Sequence, residues 1–289
     1  MTTTEQLPMD EIRTGRNWIG LGVAGNQAGH LGQAGEDSDF AQVQADENAP
    51  KGLFPWFIPQ AETVFGTNPL SSHELTLLNE TRLQPEPEVG LIVEFDYHAA
   101  GEAQLVQGLR VLGFGAFNDC SRRIEAPKIS HKKNWGEASQ GLSEQIIPIT
   151  DFSTAGGTLD QYRLVSYLLR DGDLIQYGED TPVSNYCYFN TQLTDWLVQQ
   201  INTQQAMGPL EDIRTVMAES RPHYGIIGIG ATCYTDFGNG EERFLRTNDE
   251  VIVALYPAHT TSLTELEQHI HTNSQAPTSD IITLRQRVV

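Results

Sequence analysis

Basic residues are scarce in this 289-residue chain. Lysine and arginine number 18 against 38 aspartates and glutamates, which gives a formal charge of −20. Such a chain is repelled by phosphate backbones and anionic lipid surfaces, which argues against nucleic-acid and membrane-surface partners. Cysteine is scarce as well. Cys120, Cys187 and Cys233 are odd in number and widely spaced. They suggest neither a disulfide framework nor a zinc knuckle, and the expected location is a reducing cytoplasm. No apolar run approaches membrane-spanning length, and Met1-Thr-Thr-Thr-Glu5 is no signal region. Internal repeats and low-complexity linkers are absent. The glycines between Gly25 and Gly35 do not form a Gly-x-Gly-x-x-Gly turn, so no dinucleotide site is expected.

What the chain does have is 39% hydrophobic residues, enough for a core, and one stretch that organises the rest. Val89–Phe95 and Val111–Phe117 are short apolar runs with turn signals around them, and both read as buried strands. Carboxylates stand at their ends: Glu86 and Glu88 where the first begins, Asp119 where the second stops. Residues two apart in a strand share a face, roughly 7 Å apart. Two carboxylates at that separation repel by about 2.4 kcal/mol at an effective dielectric near 20. Solvent at a strand end absorbs that cost, and a lone Glu-x-Glu pair is an ordinary solvated terminus. A divalent cation would reverse the cost, because a hard ion needs several oxygen ligands.

Other elements follow the same signals. Asn17–Ala24 is an apolar, glycine-containing strand running into a loop or short helix that holds His30. Pro50–Pro59 is aromatic, broken by prolines, and reads as an extended edge segment. Asp160–Arg170 and Leu174–Gln176, joined by Asp171-Gly172, form a hairpin. Leu193, Trp196, Leu197 and Ile201 have helical spacing, as do residues 262–271. His269 and His271 do not share a helix face and are read as surface residues. The tail 280–289 is expected to add a strand to the sheet or to a partner subunit.

The ordered set of motifs resembles the fumarylacetoacetate hydrolase family of metal-dependent enzymes, as a divergent branch. Asn26 and His30 match the opening Gly-x-Asn-x-x-x-His. Phe54–Pro59, Glu86-Pro-Glu88 and Asn118-Asp119-Cys-Ser121-Arg-Arg123 follow in order. A lysine precedes the next strand, at Lys132 or Lys133. Asp171–Gly178, Gly230–Cys233 and Leu245–Val251 resemble the later motifs, so that the resemblance spans about residues 17 to 258.

The resemblance implies a mostly β (α+β) fold, the family's mixed β-sandwich roll. Residues 1–60 would form an N-terminal lid and edge portion, 61–258 the catalytic β-roll core, and 259–289 a helix and tail packed on the core or on a partner subunit. It implies Glu86, Glu88 and Asp119 as ligands of Mg²⁺ or Mn²⁺, with His30 as general base. Lys132 or Lys133, with a lean to Lys133, would stabilise an enolate, and the other would be a solvated loop lysine. Arg123, Gln176 and Thr232 would contact the substrate. The implied activity is hydrolysis of a C–C bond in a small 2-oxo or β-diketo acid, by a homodimer. The alternatives are an oxo-acid decarboxylase, tautomerase or hydratase using the same metal, or a catalytically silent oxo-acid-binding protein.

Of the departures from the pattern, one matters most. The family's hydrolytic members place a glutamate three residues after the lid histidine, where it raises the basicity of the imidazole. Here that position is Gln33. Glu36 or Asp37 would take the role if the loop folds back. Cys233 stands where the family's loop has proline, and it has no basic partner that would make it a nucleophile.

Overall fold

The structure is a computed structural model. It describes residues 17–272 and 280–289, apart from positions 37, 44, 47, 80, 81, 100, 101 and 154, together with residues 7, 9, 12 and 14. Asp37, one of the two alternative lid acids, lies outside the described residues.

The larger sheet is mixed. It comprises β1 (Trp18–Ala24), β2 (Gly52–Phe57), β3 (Leu70–Ser71), β6 (Pro87–Tyr97), β7 (Val106–Asn118), β9 (Gln140–Leu142), β10 (Ile147–Pro148) and β13 (Tyr224–Gly228). The strand order is β2-β1-β13-β6-β7-β9-β3, with β10 paired to β7. β1 and β13 are parallel, and β13–β6 and β6–β7 are antiparallel. The second sheet has the order β12-β11-β14-β15-β4, built from β4 (Glu74–Leu75), β11 (Tyr162–Arg170), β12 (Asp173–Pro182), β14 (Glu250–Pro257) and β15 (Ile282–Val288). A small ladder joins β5 (Leu83–Gln84) to β8 (Ser121–Arg122).

Strand alternation divides the apolar residues between two layers. Val89, Leu91, Val93 and Phe95 of β6 join Leu164, Leu168, Val253, Leu255, Ile282 and Leu284 of the second sheet in the main core. Ile92 belongs instead to a second cluster with Trp18, Phe54, Trp56, Phe117 and Ile226. That layer is tight. A Cβ on Gly22 would sit 2.1 Å from the Phe54 ring, so glycine is what lets that ring from the neighbouring strand lie over β1. Glu88, four residues before Ile92, shares its face, which places the carboxylates on this side of the sheet.

The N-terminal segment is woven into the larger sheet, since β1 is an inner strand while β2 is the edge strand expected from the prolines. The tail strand β15 is hydrogen-bonded between β14 and β4 of its own chain. The expected hairpin turns at Asp171 and Gly172, both with positive φ, as a primed two-residue turn demands. Helices α1 (His30–Ala34), α2 (Asn190–Thr203), α3 (Ile213–Ser220), α4 (Asp236–Asn239) and α5 (Leu263–Thr272) complete the chain. Leu193, Trp196, Leu197 and Ile201 turn one face of α2 into the main core. Among the described residues, no helix is long and apolar enough to cross a membrane.

A candidate metal and acid–base centre

Pro87 at the start of β6 pairs with Asn118 at the end of β7. This register brings the ends of the two strands side by side. One carboxylate oxygen each from Glu86, Glu88 and Asp119 lies within 4.8 Å of the others, and all three residues are buried. Lys133 Nζ lies 2.7 Å from Glu86 Oε2 and 2.8 Å from Asp119 Oδ2. Arg123 lies 2.9 Å from Glu86 Oε1. Glu88 Oε2 accepts a hydrogen bond from the Gly230 amide at 2.9 Å. Asp119 Oδ1 has no hydrogen-bond partner among the described residues.

The electrostatics are unequal. Burial drives the Glu86 carboxyl up, but Lys133 and Arg123 overcome it and hold it at about 2. Asp119 is pushed up to about 6 by burial, with Glu86 adding to the shift and Lys133 opposing it. Burial and the Asp119 charge push Glu88 well above the carboxylate range. Lys133 is held above the ordinary lysine range, because Asp119 and Glu86 outweigh the effect of burial. Three buried carboxylates therefore share two close cations, and one more positive charge would let all three ionise. An all-oxygen donor set with an unpartnered Asp119 oxygen fits a hard divalent ion.

His30 opens α1, which follows a tightly held turn. Asn26 Nδ2 donates to the Ile229 and Tyr188 carbonyls, and Asn26 Oδ1 accepts from the Tyr188 amide. His30 Nδ1 lies 2.9 Å from the Thr232 carbonyl oxygen. A carbonyl only accepts, so Nδ1 carries the proton and Nε2 is left as the basic nitrogen. Burial lowers the His30 pKa below 6.5, against the pull of Glu86.

Gln33 does not serve His30. Its Oε1 accepts from the Tyr234 amide at 2.8 Å and its Nε2 donates to the Tyr234 carbonyl at 3.3 Å. Glu36 folds back, as one alternative supposed, but onto cations: its Oε1 lies 3.2 Å from Arg123 and 3.1 Å from Lys132. The acceptor that orients His30 is a backbone carbonyl, for which no residue type is a signal.

The two lysines point to different partners. Lys133 enters the centre, whereas Lys132 pairs with Glu36 and with Asp39 at 2.9 Å. Both are buried, so the expected solvated lysine is absent, because the acidic segment after α1 closes over Lys132. Arg123 sits behind Glu86. Its other donors go to Gln84, Glu36 and Tyr234, so its guanidinium is engaged by the protein on every side. Among the described residues the Thr232 hydroxyl has no partner, but the residue lining the cavity at this loop is Ala231. Gln176 is elsewhere. It lines a separate groove with Tyr167, Leu174 and His271, and its Nε2 donates to the Gly178 carbonyl. Of the expected substrate contacts, Arg123 packs against Glu86 and the Thr232 carbonyl against His30, neither residue lining the cavity, and Gln176 lines another groove.

The cavity itself is small, about 20 Å³, and lined by His30, Phe54, Lys133 and the three carboxylates. That is room for an ion or a water. Small-molecule pockets are larger, roughly 300–1,000 Å³.

A family model matches residues 36–288, under the description of a family of unknown function, DUF5718. The chain belongs to that family. No curated protein matches the sequence. Among solved structures, 2-keto-3-deoxyarabinonate dehydratase aligns with a TM-score of 0.53 at 14% identity, over 94% of this chain and 73% of that one. The apo form of 2-keto-3-deoxy-D-arabinonate dehydratase aligns at 0.53 and 11%, over 99% and 82%. The 5-carboxymethyl-2-hydroxymuconate delta-isomerase from Mycobacterium smegmatis aligns at 0.50 and 15%, over 94% and 78%. At such identities the likeness concerns the fold. This DUF5718 chain has the fumarylacetoacetate-hydrolase-like fold that its motifs implied.

Proposed function

We propose that the protein is a divalent-metal-dependent enzyme acting on a small 2-oxo or β-diketo acid through an enolate. The observation that carries this reading is the unpartnered Asp119 Oδ1 among three buried carboxylates, beside a buried Lys133 and a histidine with a free Nε2. Glu86, Glu88 and Asp119 would hold Mg²⁺ or Mn²⁺. Such an ion supplies Lewis-acid charge to the oxo and carboxylate oxygens of the substrate.

The chain's own groups supply the rest. Lys133 stays protonated between Glu86 and Asp119 and balances negative charge that builds up beside it. His30, held in one tautomer by the Thr232 carbonyl, accepts a proton at Nε2. Phe54 supplies an apolar wall of the cavity. A carbonyl orients the ring without neutralising an imidazolium, so this base favours a proton that is taken and promptly returned. Tautomerisation, dehydration or decarboxylation therefore fits it better than water attack. Hydrolytic C–C cleavage is the second reading, favoured by the lowered pKa that keeps His30 neutral. A homodimer goes with either reading, and sedimentation equilibrium would test it.

The deciding experiment incubates the protein and Mn²⁺ in D₂O with 2-oxobutyrate and, separately, with an acylpyruvate. Deuterium entering C3 of the oxo acid, lost in His30→Gln, supports proton transfer. Cleavage of the acylpyruvate supports hydrolysis. Neither reaction in a protein that binds Mn²⁺ would overturn the enzyme and leave an oxo-acid-binding protein.

A further inference from the structure

The C-terminal strand lies outside the motifs that carry the family resemblance, yet one of its side chains bonds Asn118 and Gln140, which back the candidate centre. Gln286 is fully buried on β15. Its Oε1 accepts from Asn118 Nδ2 at 2.8 Å, and Asn118 Oδ1 in turn accepts from the Glu86 amide at 3.1 Å. Its Nε2 faces the carbonyls of Ser71, Glu74 and Gln140 at 3.3, 3.0 and 3.3 Å. Gln140 Nε2 then donates to the Cys120 carbonyl at 2.9 Å and the Lys133 carbonyl at 2.6 Å. A Cβ on Gly141 would lie 2.3 Å from Gln286 Oε1, so glycine there makes room for this amide.

We infer that Gln286 is a positioning residue for the metal and lysine centre, fixing Glu86 and Asp119 through Asn118 and Lys133 through Gln140. The inference rests on the reading of this centre as a metal site. The buried Gln286 amide holds the Asn118 side chain and the Gln140 backbone, and the side chains of Asn118 and Gln140 in turn hold the backbone of Glu86, Cys120 and Lys133. An amide is needed at that point because it must accept from one neighbour and donate to others at once. In a buried network each such bond is costly to leave unmade, so geometry passes along the chain instead of relaxing into solvent. Outer partners of this kind orient ligands and tune affinity.

The test compares full-length wild type, Gln286→Met and Ile282→Ala. The methionine variant keeps the volume and loses the hydrogen bonds. The alanine variant weakens the same strand through apolar packing alone. Two quantities are read: hydrogen exchange of the metal-free protein over residues 84–88 and 117–121, and Mn²⁺ affinity by calorimetry. Gln286→Met should exchange faster in both segments and bind Mn²⁺ about tenfold more weakly or worse. Ile282→Ala, at an equal or lower melting temperature, should leave both readouts as in wild type. Unchanged exchange in Gln286→Met, or an equal change in Ile282→Ala, would overturn the inference. A wild type that takes up no Mn²⁺ sinks the metal reading alone, because the exchange data still decide the positioning role. Should Gln286→Met not fold, Gln286→Glu, which keeps an oxygen for Asn118 and loses the Nε2 donor, is judged by the same outcomes.

Discussion

His30 Nδ1 and the Thr232 carbonyl oxygen are 2.9 Å apart, so the backbone sets the tautomer of the candidate base. With its pKa lowered by burial, His30 is neutral at pH 6.5 and above. The acid limb of any activity that uses Nε2 should therefore fall below pH 6.5, and the activity itself should be lost in His30→Gln. Stability should follow the same sign. Below pH 6.5 the unfolded chain takes up a proton that folded His30 resists, so this contribution is full above 6.5 and falls as the pH drops towards the folded value. Melting temperatures at pH 5.5 and 7.5 should differ less in His30→Gln than in wild type.

Gln33→Glu is expected to leave hydrolysis unimproved. The side chain at this position is turned to the Tyr234 backbone, where a carboxylate would lose the Nε2 donor and face a carbonyl. A loss of roughly 1 kcal/mol in urea unfolding is expected. Increased acylpyruvate cleavage would mean that the side chain can reach His30 after all.

The adjacent lysines should behave differently. Lys133→Met leaves Glu86 and Asp119 without their shared cation and should destabilise the metal-free protein by about 3–5 kcal/mol. Mn²⁺ should then raise the melting temperature of this variant more than that of wild type, since the ion restores missing positive charge. Lys132→Met loses its pairs with Glu36 and Asp39, of which Asp39 is partly exposed, and should cost less. Calorimetric scans with and without Mn²⁺ check both.

Gln176→Ala should change neither Mn²⁺ affinity nor turnover, and stability by no more than about 0.5 kcal/mol. The residue lines a different groove. A large fall in substrate affinity would place it in the site.

The strands that carry the carboxylates were legible because their apolar runs alternate between two buried layers and turn signals bound them. That Glu86, Glu88 and Asp119 converge depends on a register, Pro87 opposite Asn118, which local patterning does not encode. The choice between Lys132 and Lys133 was open for a similar reason. They are neighbours at the end of the 3-10 turn Ile129–Lys132, and adjacent residues there point in different directions. The Thr232 contact was invisible because a carbonyl carries no residue identity. Gln286 was invisible because its partner Asn118 is 168 positions away. Gln176 sat in a recognisable hairpin, yet hairpin pairing alone does not say which groove a side chain enters.

The central claim is that Glu86, Glu88 and Asp119 form a cation site. Titration calorimetry of Mn²⁺ into chelator-stripped protein, with and without oxalate, tests it most directly. Saturable binding, strengthened by oxalate and abolished in Asp119→Ala, is the predicted result. A wild type that gives no binding heat, or one whose binding survives Asp119→Ala unchanged, would contradict it.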